Sequence, residues 1–289
     1  MKILAIGDFH GEFPAKLSKK LKKEEFDLII GIGDYTGIKE WRSYILEYFR
    51  LIKKGKQAPS AEEYFGKKRF SALLKKDTKA AKKVLLTLDE LEKPCFYIFG
   101  NGDDEWYNYP FDIKQLKPKK SKRNFLKRLK NMKEINYGFG NYKGISFIGF
   151  GGYMDVLSNY DLRKTEELEK YKRALKRLKT SRKKFLNILK KTKKERIFVL
   201  HYPPKGIFDI IREKGNPYSG KSAGISFFTE AIIKYKPRLV FCGHMHEYQG
   251  VKKLGKTLVV NPGEAARGRA AIIDYPEDKK SKIKVRFIR

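Results

Sequence analysis

Short apolar runs that end in glycine and a polar residue recur along the chain, and the stretches between them carry helical spacing. Lys2 to Ile6 is an apolar strand that runs straight into Gly-Asp-Phe-His-Gly. Pro14 opens a basic helix to about Lys23, at a first-turn position where its missing N–H costs nothing. Asp27 to Ile32 is the next strand and ends in Gly33-Asp34. Its unbroken apolar character predicts burial on both faces, as in a central parallel strand. Strand, loop, helix, strand is the βαβ order of an α/β protein.

Between 38 and 92 the period changes to three and four residues. Trp41, Ile45, Tyr48 and Ile52 make one apolar stripe. Ser60 and Glu63 have capping-box spacing at the start of a second helix, buried through Phe70, Leu73 and Leu74. A third helix carries Val84, Leu85, Leu88 and Leu91 up to Pro94, and Cys95 to Phe99 is a strand ending in Gly100-Asn101. Residues 106–134 form a tyrosine- and lysine-rich excursion with a helix expected at Lys122 to Met132, and Ile145 to Phe150 is a strand. From Asp161 to Arg196 the chain is strongly basic. Leu168, Tyr171, Leu175, Leu178, Phe185 and Leu189 fall on heptad a and d positions there, which predicts one long helix or a hairpin broken at Thr180-Ser181. A strand at Ile197 to Leu200, a helix around Ser226 to Tyr235 ended by Pro237, and a strand at Arg238 to Cys242 follow. Thr257 to Val260, Ala270 to Asp274 and Ile283 to Phe287 read as three short antiparallel strands. The expected organisation is a single domain over 1–289 with helical insertions at about 38–92, 106–134 and 157–195.

Lys and Arg number 66 against 33 Asp and Glu, a formal net charge of +33. So large an excess favours acidic partners, phosphate-rich ligands and nucleic acid first among them. A heat-adapted surface is the bland alternative, but it normally raises Glu along with Lys. Both cysteines, Cys95 and Cys242, lie in apolar runs and read as buried thiols of a reducing compartment. The N-terminal apolar stretch is too short for a signal peptide, and no run approaches the ~18 residues of a membrane span. A cytoplasmic location without membrane contact is expected.

All four histidines of the 289 residues stand where an apolar run stops: His10, His201, His244 and His246. Asp8, Asp34 and Asn101 obey the same grammar. Seven such donors suggest one shared site. Carboxylates, imidazoles and a carboxamide oxygen suit Mn, Fe, Zn, Ni or Co and not a thiolate centre. Seven exceed the needs of one ion and suit two, provided one carboxylate bridges. Two cations roughly 3.5 to 4 Å apart clamp a phosphoryl group and turn a bridging water into hydroxide near neutral pH, which is phosphoester-hydrolysis chemistry.

Asp8-Phe9-His10, Gly33-Asp34, Gly100-Asn101, His201 and Gly243-His244-Met245-His246, in that order, resemble the calcineurin-like metallophosphoesterases. The resemblance implies two mixed sheets packed as a sandwich with helices outside. It also implies that Asp8, His10, Asp34 and His246 hold a first divalent metal, manganese foremost. Asp34 would bridge to a second held by Asn101, His201 and His244. The family's third block usually continues Gly-Asn-His, but Gly102 stands in place of that histidine, and every other histidine is already a ligand. The leaving group must then find its proton in water or Asp103, or need none, which tilts the expected substrate toward phosphodiesters or activated esters and away from alkyl phosphate monoesters. Asn261-Pro262-Gly263 resembles the family's closing element, with Arg267 and Arg269 after it. Arg267 is the candidate phosphate clamp, with a surface ion pair as its alternative. Tyr202 is a candidate stacking residue, and Asp104 and Trp106 are candidates for the mouth of the site. Two other readings stand beside the phosphodiesterase. One is a binding or scaffold protein that keeps the fold. The other is a nuclease that tracks nucleic acid with its 161–196 helices. Oligomeric state is not legible.

Overall fold

The computed structural model describes residues 1–106, 120–154, 156–159, 168–192, 195–278 and 280–289. In chain order its elements are β1 (Lys2–Ile6), α1 (Ala15–Leu21), β2 (Leu28–Gly31), α2 (Arg42–Lys53), α3 (Ala61–Phe65), α4 (Lys67–Asp89) and β3 (Cys95–Tyr97). Then come α5 (Lys120–Leu126), β4 (Met132–Glu134), β5 (Gly138–Tyr142), β6 (Ile145–Phe150), α6 (Leu168–Lys190) and β7 (Arg196–Leu200). The chain closes with α7 (Ser226–Tyr235), β8 (Leu239–Phe241), β9 (Gly250–Leu254), β10 (Thr257–Asn261), β11 (Ala270–Asp274) and β12 (Lys284–Ile288).

These strands make two six-stranded sheets, ordered β12-β11-β1-β2-β3-β4 and β5-β6-β7-β8-β10-β9. The inner strands of each run parallel, and antiparallel strands cover the edge beyond β1 in the first sheet and both edges of the second. Alternation along the strands decides which face meets what. Ile3, Ala5, Ile30 and Ile98 of one sheet meet Phe147, Ile197, Val199 and Phe241 of the other in the central core. The intervening residues Leu4, Ile6, Ile29 and Tyr97 point outward to Leu17, Val84, Leu85, Leu88 and Phe125. On the far side Phe150, Phe198, Leu200 and Val240 meet Phe185, Leu189, Phe228 and Ile232. Three apolar layers therefore separate helices, sheet, sheet and helices, the expected α/β sandwich.

Several expectations need correction. The Ser60–Glu63 capping box forms, but it caps only the short α3, and Gly66 at φ +76° ends that helix. The second and third helices expected after it are one, α4, of 23 residues. The helix expected over Lys122 to Met132 is the shorter α5, Lys120–Leu126, and Met132 opens an edge strand, while 107–119 of that excursion lie outside the described residues. The basic segment is one continuous helix over 168–190 with no break at Thr180-Ser181; its 160–167 and 193–194 portions lie outside the described residues. The heptad seam does not hold. Leu175 is 43% exposed, whereas Ala174 and Ser181 are buried, because α6 packs on a sheet with the ordinary helical period. The three closing strands also belong to different sheets, β10 lying parallel to β8 and β11 and β12 joining β1.

The insertions meet one another. Ile52 of α2, Ala174 of α6 and Tyr218 form a separate apolar cluster, with Tyr48, Phe49 and Tyr171 packed against it. No described helix is long and apolar enough to cross a membrane.

Candidate metal centre

Each of the seven candidate donors stands just beyond a strand, at the end where the parallel strands of both sheets finish. The local backbone is unusual. Asp8, His10, Asp34 and His244 have φ of 56°, 47°, 54° and 66°, the left-handed region that side-chain-bearing residues seldom enter. Such conformations cost of order 1–3 kcal/mol each and persist where the surrounding fold imposes them. Closeness has its own requirement at glycine: a Cβ on Gly100 would stand 2.0 Å from Asp34 Oδ1, so only glycine lets the β3 loop reach the Asp34 loop.

The donor atoms gather in two groups. One oxygen or nitrogen from each of Asp8, His10, Asp34 and His246 lies within 4.8 Å of the others, and the same holds for Asp34, His201 and His244. Asp34 belongs to both. Asn101 joins the second group through Oδ1, 2.9 Å from His201 Nε2 and 2.7 Å from His244 Nδ1. His10 Nε2 and His246 Nε2 face each other at 2.9 Å. Nitrogens and oxygens so spaced are close enough to surround a cation with bonds of about 2.0–2.2 Å, and their hard-to-borderline chemistry fits a divalent ion.

Electrostatics match that use. Burial raises the Asp8 carboxyl to about 7, with Asp34 adding to the shift against His201 and His10. Burial acts upward on Asp34 as well, but the neighbouring His201 charge and hydrogen bond, His10 and the Gly102 N–H hold it well below the usual carboxylate range. For His201, burial opposes the charged ring, yet Asp34 at 3.5 Å and Asp8 raise it to about 9. Burial, then the His201 charge, lowers His244 to about 3, and burial followed by His10 takes His246 far down. Two buried carboxylates pressed among imidazoles form a site in which added positive charge is favourable.

The support around the donors is uneven. His201 is fully buried and its Nδ1 hydrogen-bonds the Ile32 carbonyl at 2.9 Å, while Asp8 receives the His244 backbone N–H at 3.1 Å on both oxygens. Asp103 is fully buried and accepts from Gly100 N at 2.8 Å, Thr36 N at 2.9 Å and Thr36 Oγ1 at 3.0 Å. That carboxyl ties the Asp34 and Asn101 loops together and has no path to a leaving group, which removes it as the suggested proton source. Gly102 does face the site, since a Cβ there would lie 3.3 Å from Asp34 Oδ1.

The other candidates are placed less favourably. Tyr202 is 2% exposed and its ring lies on His244, with centroids 4.0 Å apart, so it offers no open face to a base or sugar. Arg267 is mostly exposed, and its Nε pairs with Glu264 at 2.8 Å. Trp106 is a core residue beneath Lys122 and Phe125 and not part of a mouth. Asp104 is partly buried beside Glu105, Lys122 and Asp77, and burial raises it to about 6. Sequence reasoning overlooked Thr36, Gly37 and Asp77. The signal for Asp77 was present: in lysine-rich α4 it is one of only two acids.

A layered sandwich with carboxylates and imidazoles clustered at its strand ends defines a metal-binding α/β class. The chain belongs to the calcineurin superfamily of metallophosphoesterases, whose family pattern matches residues 1–285. No curated protein matches the sequence significantly. Among solved structures, one crystal structure is 21% identical over 99% of this chain and 98% of its own, with a TM-score of 0.63. TT1561 of Thermus thermophilus is 18% identical over 98% of this chain and 97% of its own, with a TM-score of 0.52. Both likenesses speak to the fold alone.

Proposed function

We propose that the chain is a phosphoester hydrolase using two divalent cations, with phosphodiesters preferred over monoesters. The observation that carries this reading is the sharing of Asp34 between two donor groups. Asp8, His10, Asp34 and His246 would hold one cation, and Asp34, Asn101, His201 and His244 the other. Manganese is the first choice, with Fe, Zn, Ni or Co compatible with the same donors. When bound, the pair would supply an activated water as nucleophile and neutralise charge on the phosphoryl group. The chain's own work is to hold seven donors in register. Asp103 and Thr36 lock the Asp34 and Asn101 loops, and Ile32 fixes the His201 tautomer.

Diester preference rests on Gly102. With no side chain there, and with Asp103 sequestered, the site offers no imidazole to protonate a poor leaving group. Both sheets share one core, which supports a single domain, and two buried free thiols support a reducing compartment such as the cytoplasm. Metal-loaded protein should hydrolyse bis-p-nitrophenyl phosphate faster than an alkyl phosphate monoester, whose poor leaving group needs a proton, and Gly102→His should narrow that gap by improving the monoester. Inactivity of the wild type with Mn, Ni and Zn alike would contradict the hydrolase, and a monoester preference would contradict the diester assignment.

A nuclease reading has one specific observation in its favour. Lys176, Lys179, Lys183 and Lys190 recur at three-, four- and seven-residue steps along the exposed side of α6, opposite its buried face, without ion-pair partners among the described residues. Four phosphate contacts there would give a log-log salt slope of about −3.6 for duplex DNA. Substituting all four by Gln should remove about that much slope. An unchanged slope makes the stripe a solvated surface.

A further inference from the structure

We propose that Asp77, on the insertion helix α4, is a positioning residue that sets His10 for cation binding by holding the 37–41 loop against its ring. This rests on the two-cation reading above. Asp77 accepts three hydrogen bonds from that loop: Gly37 N at 2.9 Å and Ile38 N at 3.2 Å on Oδ1, and Trp41 Nε1 at 3.0 Å on Oδ2. Gly37 is where the loop touches the centre. Its φ is +93°, and a Cβ there would stand 3.0 Å from His10 Nδ1. A side chain at this position would therefore press on the Nδ1 edge of the imidazole whose Nε2 faces His246, and glycine lets the loop run beside it.

The two buttressing arrangements in the centre differ in kind. His201 has a carbonyl on the nitrogen that does not face the site, the usual device for orienting a metal-binding imidazole. His10 Nδ1 has no hydrogen-bond partner among the described residues, and what lies beside it is the Gly37 turn that Asp77 pins. Trp41 is itself wedged edge-on to Phe65 and Phe70. Asp77 thus connects the aromatic cluster of the first insertion to a loop at the metal centre.

The same helix supplies a matched control. Asp89 also accepts loop backbone N–H groups, Asn131 at 2.7 Å and Lys130 at 3.1 Å, but it does so at the entrance to β4. The experiment is calorimetric titration of the metal-free full chain with manganese(II), in wild type, Asp77→Ala and Asp89→Ala. Wild type should take up two cations. Asp77→Ala should weaken one of the two uptake steps by about 10- to 100-fold, the usual loss when an outer partner of a ligand is removed, and leave the other unchanged. Asp89→Ala should alter thermal stability and neither uptake step. Trp41→Phe, which keeps the ring and removes one donor to Asp77, should fall between wild type and Asp77→Ala. Wild-type affinities in Asp77→Ala, or an equal loss in Asp89→Ala, would overturn the positioning role while leaving the two-cation reading standing. No uptake by wild type would overturn both.

Discussion

The halves of the metal centre on either side of Asp34 are built by different means. The His201 half is anchored to the sandwich itself: His201 is buried on the end of β7, hydrogen-bonded to the β2 loop, and Asn101 sits between two imidazoles. In the other half, the His10 and His246 rings hydrogen-bond only each other among the described residues, although the His10 backbone N–H donates to the Asp34 carbonyl at 3.0 Å, and the His246 side chain is 30% exposed. Beyond the backbone bonds of its loop to the Asp34 loop, it is braced from an insertion, through Asp77 and Gly37. The difference teaches that the grammar of glycine followed by a donor at a strand end is not sufficient by itself. One half is preformed by the core, and the other is completed by residues far from it in sequence.

The largest expected effect removes the element common to both halves. Asp34→Asn replaces the shared acceptor with an amide and should lower diester hydrolysis by about 10²- to 10³-fold, the range seen when one preorganised electrostatic group is lost. Retention of more than a tenth of wild-type turnover would sever the link between the halves. His201→Ala and His10→Ala then compare them directly. In cation-free protein, His201→Ala should cost about 1–3 kcal/mol in urea unfolding, since it strands the Ile32 carbonyl and opens space in a buried site. His10→Ala should cost clearly less, and equal losses would erase the contrast.

The smallest effect is the pH dependence of cation uptake. A cation binds only deprotonated donors, so each proton it must displace makes apparent affinity rise with pH. His201 near 9 contributes one such proton between about 7 and 9, and Asp8 near 7 adds a second below about 7. Manganese affinity should therefore climb with pH and do so more steeply below pH 7. A flat or falling profile would mean that neither His201 nor Asp8 gives up a proton to the cation, whereas a rise confined to below pH 7 would take His201 out of the set.

Much of this was legible in the amino-acid sequence, and what was missed has physical causes. The apolar runs of β1, β6, β7 and β11 announce themselves because both their faces are covered, and the donors follow because each donor-bearing loop begins where such a run stops. The strands overlooked are β4, β5 and β9, with Met132-Lys133-Glu134, Gly138 to Tyr142 and Gly250 to Leu254. All three are edge strands, half solvated, and so carry no continuous apolar signal. The heptad in α6 misled because Leu168 to Leu189 fits 3.5 and 3.6 residues per turn almost equally well over so short a span. Asp77 was passed over because nothing in local periodicity tells a solvated aspartate from one that accepts three hydrogen bonds from a loop about 40 residues earlier.

Anomalous diffraction at the manganese edge from crystals grown with manganese tests the shared-carboxylate centre most directly. Two peaks are expected on either side of the Asp34 carboxylate, one among Asp8, His10 and His246 and the other among Asn101, His201 and His244. A crystal that shows no peak at these side chains would contradict the account and leave a sandwich fold that binds partners without this chemistry.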